Sequence, residues 1–218
     1  MKITEDQVLI LGCHESKDNI KTAHAIGTQR FTLFKLELNE DIELKAQDKI
    51  FIGEGNDKIK KIITTMSYHD LSNNEKNEVE KAVHSIIISN ENRYVDFFNK
   101  QNKEGSQLHL LEGISRKSSL RILSKKEESG DFTSFKDIEK RISGIKDAED
   151  LIAKRVLYEI IEMPQVKKGR PIYLFVNAKR ANIKVEQKLD NFENDDSFFI
   201  EKLKKEGMIE SSGKKLKW

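Results

Sequence analysis

The residues best placed to do chemistry are Leu108-His109-Leu110-Leu111-Glu112-Gly113-Ile114-Ser115-Arg116-Lys117, followed by Ser118-Ser119-Leu120-Arg121-Ile122-Leu123. An apolar run stops at a glycine, one residue of buried type follows, and a basic, hydroxyl-rich segment restarts with helical spacing. This order predicts a helix-hairpin-helix whose turn holds a phosphate. Gly113 permits the tight bend, and Ile114 plugs the space between two helices. The second helix then opens with N–H groups that lack an intrahelical acceptor and a dipole that favours an anion. The backbone amides of Gly113, Ile114 and Ser115 are expected to hold one phosphate, with Arg116, Lys117 and Arg121 adding positive charge. Contacts of this kind fix position without reading bases, so binding should tolerate sequence and weaken steeply with salt.

Other chemistries find less support. A metal-dependent nuclease needs clustered carboxylates. Asp147, Glu149 and Asp150 are close in sequence, but they fall in the first turn of an expected helix, where acids complement the macrodipole. His69, His84 and His109 have no partner at a recognisable spacing, and no nucleophile motif is present, so no catalysis is expected. Cys13-His14 with His24 offers too few thiols at useful spacing for a structural zinc, so no metal is expected, and no cofactor. Gly53-Glu54-Gly55 is too short for a nucleotide fingerprint and reads as a turn.

Charge has to be judged locally. Across 218 residues, Lys+Arg 39 and Asp+Glu 37 nearly cancel, leaving +2. Between Lys100 and Lys126, however, Lys100, Lys103, Arg116, Lys117, Arg121, Lys125 and Lys126 face only Glu104 and Glu112. Between Pro164 and Lys188, Lys167, Lys168, Arg170, Lys179, Arg180, Lys184 and Lys188 face only Glu186. Local clusters of this kind attract polyanions, and Lys167, Lys168 and Arg170 join the candidate nucleic-acid-binding residues. A single cysteine excludes an internal disulfide. No amino-terminal signal or membrane-length apolar run is visible, so a cytoplasmic protein without membrane contact is expected.

The elements that must position these residues read as an α+β chain. Val8–Leu11 ending at Gly12, Thr22–Ile26 ending at Gly27, the alternating run Phe31–Leu38, Lys49–Ile52 ending at Gly53, and a last strand through Ile59, Ile62 and Ile63 predict a small OB-like β-barrel over residues 1–68. Such barrels bind single strands with aromatic faces and basic grooves. Phe34 and Phe51 are expected to fill the barrel, and Phe31 to contribute to binding. Residues 69–105 predict a helical connector, beginning with a capping box at Ser72-Asn73-Asn74-Glu75 and burying Tyr94, Phe97 and Phe98. Residues 106–163 predict tandem helix-hairpin-helix motifs, because Gly144-Ile145 repeats the glycine-isoleucine turn. The apolar positions of these helices are Leu120, Ile122 and Leu123, then Phe135, Ile138 and Ile142, then Leu151 through Ile160. Residues 164–218 predict a basic strand at Ile172–Val176 and a charged tail with a short helix at Phe198–Leu203.

With that order, Leu110-Leu111-Glu112-Gly113-Ile114-Ser115, Phe135-Lys136-Asp137-Ile138 and Tyr173-Leu174-Phe175 resemble an archaeal family, domain of unknown function 655. Its members are expected to bind nucleic acid through an OB-type barrel and a helix-hairpin-helix. Further matching stretches are Ala25-Ile26-Gly27 with Phe31-Thr32-Leu33, Ile52-Gly53-Glu54-Gly55 with Asp57-Lys58-Ile59, and Arg93 to Asn99; the resemblance covers roughly residues 7–177. Two departures stand out, since the family usually reads proline-glycine-isoleucine-glycine at the hairpin. Glu112 replaces the proline and brings negative charge near the expected phosphate. Ser115 replaces the second glycine, and either carries strain at positive φ or caps the next helix. The resemblance implies a non-catalytic nucleic-acid-binding protein. RNA is favoured over DNA because small OB barrels in compact archaeal proteins often serve RNA. The alternative is a protein-interaction or assembly factor associated with a ribonucleoprotein.

Overall fold

Alternating side chains build five antiparallel strands in the first third of the chain: β1 (Gln7–Glu15), β2 (Lys21–Gly27), β3 (Leu33–Leu38), β4 (Lys49–Phe51) and β5 (Ile59–Thr65). The structure is a computed structural model that describes residues 5–16, 19–53, 55–161, 166–167 and 170–176. The strand order is β4-β1-β2-β3-β5, so β1 and β3 each serve two neighbours while β4 and β5 form the edges. The sheet curls into a half-barrel. Its inner face packs Val8, Ile10, Ala23, Ala25, Phe34, Leu36, Leu38 and Ile50 together, and its outer face gives Leu9, Leu11, Ile26 and Leu33 to the helical core. Both faces of the central strands are therefore buried. At about 1.5–3 kcal/mol per buried aliphatic or aromatic side chain, this double burial fixes the register.

Three sequence expectations need correction here. β1 does not stop at Gly12; it runs to Glu15, with a register shift between Ile10 and Gly12. Phe31 is not a stacking surface, because it is 1% exposed and belongs to the helical core. It precedes β3 in a left-handed conformation (φ 54), held by a turn whose amides are captured. Glu5 accepts from the amides of Gln29 (2.7 Å), Arg30 (2.9 Å) and Thr32 (3.2 Å). Phe51, expected inside, is instead 48% exposed on edge strand β4.

Helical spacing takes over after a single 3₁₀ turn at Tyr68–Asp70. The expected capping box forms at Ser72, whose side chain accepts from the Glu75 amide, and starts α1 (Asn73–Ser89). Val79, Ala82, Val83, Ile86 and Ile87 on α1 are buried, and the helix packs on β1 and on α5 (Ala148–Ile160). α2 (Glu91–Asn99) buries Tyr94, Val95 and Phe98, with Phe97 packed partly against the same core. α3 (Arg116–Ser129) buries Ile122 and Leu123, but Leu120, expected inside, is 52% exposed. α4 (Phe135–Arg141) starts at the Ser134 cap and buries Phe135 and Ile138.

The segment Ile172–Val176 does not form the expected strand, because its backbone donors are used elsewhere. Glu159 on α5 accepts from the amides of Leu174 (2.7 Å), Phe175 (2.9 Å) and Val176 (3.0 Å). The same carboxylate pairs with Arg155 at 2.7 Å, both side chains being buried. Arg155 in turn donates to the carbonyls of Leu110 (3.2 Å) and Ile172 (2.6 Å). The anchored segment buries Phe175 edge-on to Tyr94 and Phe97, with ring centroids 5.6 and 5.1 Å away. Before it, a two-stranded hairpin pairs β6 (Val166–Lys167) with β7 (Arg170–Pro171). The helix expected at Phe198–Leu203 and the tail lie outside the described residues.

Candidate nucleic-acid interface

Two glycine turns share one geometry. The Ile114 amide donates to the Leu111 carbonyl at 3.1 Å, and the Ile145 amide donates to the Ile142 carbonyl at 3.2 Å. Gly113 (φ 78) and Gly144 (φ 103) hold the third position of each turn, in the left-handed region where a Cβ would be strained. Ile114 and Ile145 are both buried, as the plug role requires. The turns differ one step later. Ser115 follows Ile114 directly and caps α3 with extended backbone (φ −71, ψ 163), its side chain accepting from the Ser118 amide at 3.1 Å. It therefore carries no positive-φ strain. In the second turn Lys146 intervenes before Asp147, which caps α5 by accepting from the Asp150 amide at 2.8 Å.

Both turns open into one cleft of about 340 Å³, with Gly113, Ser118 and Arg121 on one side and Ser143, Gly144, Lys146, Asp147 and Asp150 on the other. The two sides differ in charge. At α3 the first turn holds no acid. Arg116, Lys117 and Arg121 are exposed, and none of them pairs with a described residue. The amides of Gly113 and Ser115 likewise have no acceptor among the described residues. At α5 the acids are already engaged. Asp147 caps the helix, Glu149 meets His84 Nδ1 at 2.6 Å, and Asp150 pairs with Lys154 at 2.8 Å. The hydrogen bond that the Lys154 ammonium donates to Asp150 raises its pKa above the ordinary lysine value. Glu112 borders a separate hollow with Leu110, Lys154, Arg155 and Tyr158, so its carboxylate is not a wall of the cleft.

The remaining sequence candidates scatter. Lys167 and Arg170 fall on the β6–β7 hairpin, and Lys168 lies outside the described residues. Part of the basic run from Lys100 to Lys126 is in structural use. Lys103 pairs with Glu127 and Lys125 with Glu128, while Lys126 donates to the carbonyls of Asn99 and Gln101. Phe51 replaces Phe31 as the exposed aromatic on the sheet.

The two histidines that the sequence set aside as metal ligands together with Cys13 are joined instead by Glu75, where β1, β2 and α1 meet. His14 Nε2 lies 2.9 Å and His24 Nδ1 2.6 Å from Glu75 Oε1. The other carboxylate oxygen accepts from the Ser72 amide (2.9 Å) and hydroxyl (2.7 Å). Burial pushes the Glu75 carboxyl up, but the Ser72 donors, the His14 hydrogen bond and the neighbouring His24 prevail and hold it at about 2. Burial pushes the His24 imidazole down, against the pull of Glu75. Cys13 does not join them, because its thiol faces the Leu44 carbonyl at 3.3 Å and burial pushes its pKa up.

A family model described as a protein of unknown function, DUF655, matches residues 12–177. The chain belongs to the DUF655 family. An uncharacterised protein of Methanocaldococcus jannaschii is 29% identical over 174 residues, covering 78% of this chain and 77% of that protein. The crystal structure of a DUF655 protein from Archaeoglobus fulgidus is similar with a TM-score of 0.68 at 30% identity, covering 75% of this chain and 98% of that one. The DUF655 match takes in both glycine turns and the His14, His24 and Glu75 cluster. Among the described residues, no helix is long and apolar enough to cross a membrane.

Proposed function

We propose that this DUF655 chain is a non-catalytic, cytoplasmic nucleic-acid-binding protein, favouring RNA over DNA, that grips the phosphate backbone through a tandem helix-hairpin-helix and an OB-like half-barrel. One observation carries the reading: the amides of Gly113 and Ser115 have no acceptor among the described residues, and Gly113 lines with Arg121 a cleft shared with the Gly144 turn, next in sequence to the exposed Arg116 and Lys117. A phosphate there replaces water on donors that have no acceptor among the described residues. The sheet supports the same reading. Its neighbour order β4-β1-β2-β3-β5 is that of a five-stranded OB barrel, although β5 runs antiparallel to β3 where such a barrel has the two parallel, and Phe51 offers a ring on which a base can stack.

The test is a salt titration of full-length protein against single-stranded RNA and DNA of one sequence. Binding is expected to lose roughly 0.7 log units per log unit of salt for each phosphate neutralised, giving a slope of about −2 for three basic side chains. Arg116→Glu with Lys117→Glu should weaken binding at least about tenfold and flatten the slope. Gly113→Pro should also weaken it, since φ 78 is closed to proline. No binding at low salt, or binding unchanged in these variants, overturns the reading.

A second reading has its own observation. Asp147 and Asp150 put negative charge on the second wall of the cleft, and Leu120 is exposed on α3, which suits a protein surface better than a polyanion. A protein-interaction or assembly factor associated with a ribonucleoprotein would then be expected, recovered with a partner that survives nuclease treatment.

A further inference from the structure

We propose that His14 Nε2, His24 Nδ1 and Glu75 Oε1 form a binding site for one divalent transition-metal ion of the zinc class. The site is independent of the nucleic-acid reading. Among the described residues this is the one grouping of three or more His, Cys, Asp or Glu side chains whose donor atoms converge, all within 4.8 Å of one another.

Four features of the geometry favour an ion over a hydrogen-bonded cluster alone. The donor set is two imidazoles and one carboxylate, a mixture that selects borderline transition metals over magnesium or calcium. Three chain segments supply it, so folding assembles the donors before any ion arrives. The second Glu75 oxygen is held by the Ser72 amide and hydroxyl, the outer support that fixes a carboxylate ligand's orientation. Glu75 is buried, yet among the described residues neither lysine nor arginine pairs with it; a cation on the shared oxygen would neutralise it.

Space is also provided. A side chain at Gly12 would place its Cβ 3.0 Å from Glu75 Oε1, so glycine leaves room for the carboxylate against the strand. The His14 side chain is 44% exposed, which opens the fourth side to solvent and to ion entry. The present separations of 2.6 and 2.9 Å are hydrogen-bond lengths. A tetrahedral ion with about 2.0–2.2 Å bonds sets donor atoms about 3.3–3.6 Å apart, so both rings must draw back from Glu75 by about 0.4–1.0 Å, least at the partly exposed His14 and most at His24. Three protein ligands with one open side leave a position for exchangeable water.

The experiment uses full-length protein stripped with a chelator and titrated with Zn²⁺ by calorimetry and with Co²⁺ by visible absorption. One ion per chain is expected, together with a Zn²⁺-dependent rise in Tm and cobalt bands characteristic of nitrogen and oxygen ligands. His14→Ala, at a partly exposed position that should not compromise folding, is expected to weaken Zn²⁺ binding at least about tenfold. His84→Ala, which removes the separate His84–Glu149 pair, should leave it unchanged. Absence of Zn²⁺ binding to the native chain overturns the proposal. Binding of equal strength in His14→Ala also overturns it, because the ion then sits elsewhere.

Discussion

Replacing Glu159 with alanine should lower the free energy of unfolding by about 3–5 kcal/mol, the scale on which removal of one partner from a buried ion pair acts. The reason lies in what the substitution leaves behind. Arg155 would keep its charge in the core with no counter-charge among the described residues, held by the Leu110 and Ile172 carbonyls and the face of Tyr158. The amides of Leu174, Phe175 and Val176 would lose their shared acceptor. Buried groups stranded without partners cost more than the intact bonds contribute. In a domain of this size the loss corresponds to a fall in Tm on the order of 10 °C. Denaturant unfolding followed by circular dichroism reads it directly. Arg155→Met with Glu159→Leu should cost less than Glu159→Ala, because it removes the charge together with its counter-charge. If Glu159→Ala unfolds within about 1 kcal/mol of the native chain, the clamp is not what holds the segment.

Gly27→Ala has the second largest expected effect, and it comes from crowding. A Cβ on residue 27 would stand 2.1 Å from Glu5 Cδ and 2.4 Å from its Oε1. The carboxylate must leave, and the amides of Gln29, Arg30 and Thr32 lose the acceptor that shapes the turn before β3. Each stranded amide costs about 1–3 kcal/mol, so a total loss of about 3 kcal/mol or more is expected. Phe31 reports it, since its left-handed backbone and buried ring depend on that turn. A double-mutant cycle separates this from a simple loss of glycine. In a Glu5→Ala background the further change Gly27→Ala should add little, giving strong non-additivity. Equal costs in the two backgrounds would show that Glu5 is not the obstacle.

These two sites also mark where the sequence stops being legible. Strand identity is readable, because the apolar run Val8–Leu11 ending at a glycine and the alternation along Leu33–Leu38 are local signals. The glycine turns were readable too, since an apolar residue, one spacer, glycine and isoleucine specify the same bend at Leu111–Ile114 and Ile142–Ile145. The capping box at Ser72 and Glu75 was equally visible, being set by a three-residue spacing. What was hidden in each case is a second, long-range duty. Glu75 serves its cap with one oxygen and two histidines from other strands with the other. The register shift after Ile10 carries Gly12 and His14 onto the α1 side, a change of phase that an alternating pattern cannot reveal. Ile172–Val176 has strand composition, but a carboxylate fifteen to seventeen positions earlier takes the amides of its last three residues. Phe51 looks like core by type, and only its place on an edge strand exposes it.

The unequal use of the two glycine turns has a consequence for how a polyanion would lie. At α5 the Asp147 carboxylate sits on a first-turn amide, where an incoming phosphate oxygen would otherwise go. At α3 the neutral Ser115 hydroxyl caps the helix, whose first turn holds no negative charge. The pair is thus a helix start capped by an anion beside one capped by a neutral hydroxyl. In the proposed reading a backbone can anchor at a single point and in a single sense, so the duplicated fold gives the ligand a direction rather than two equivalent places to bind.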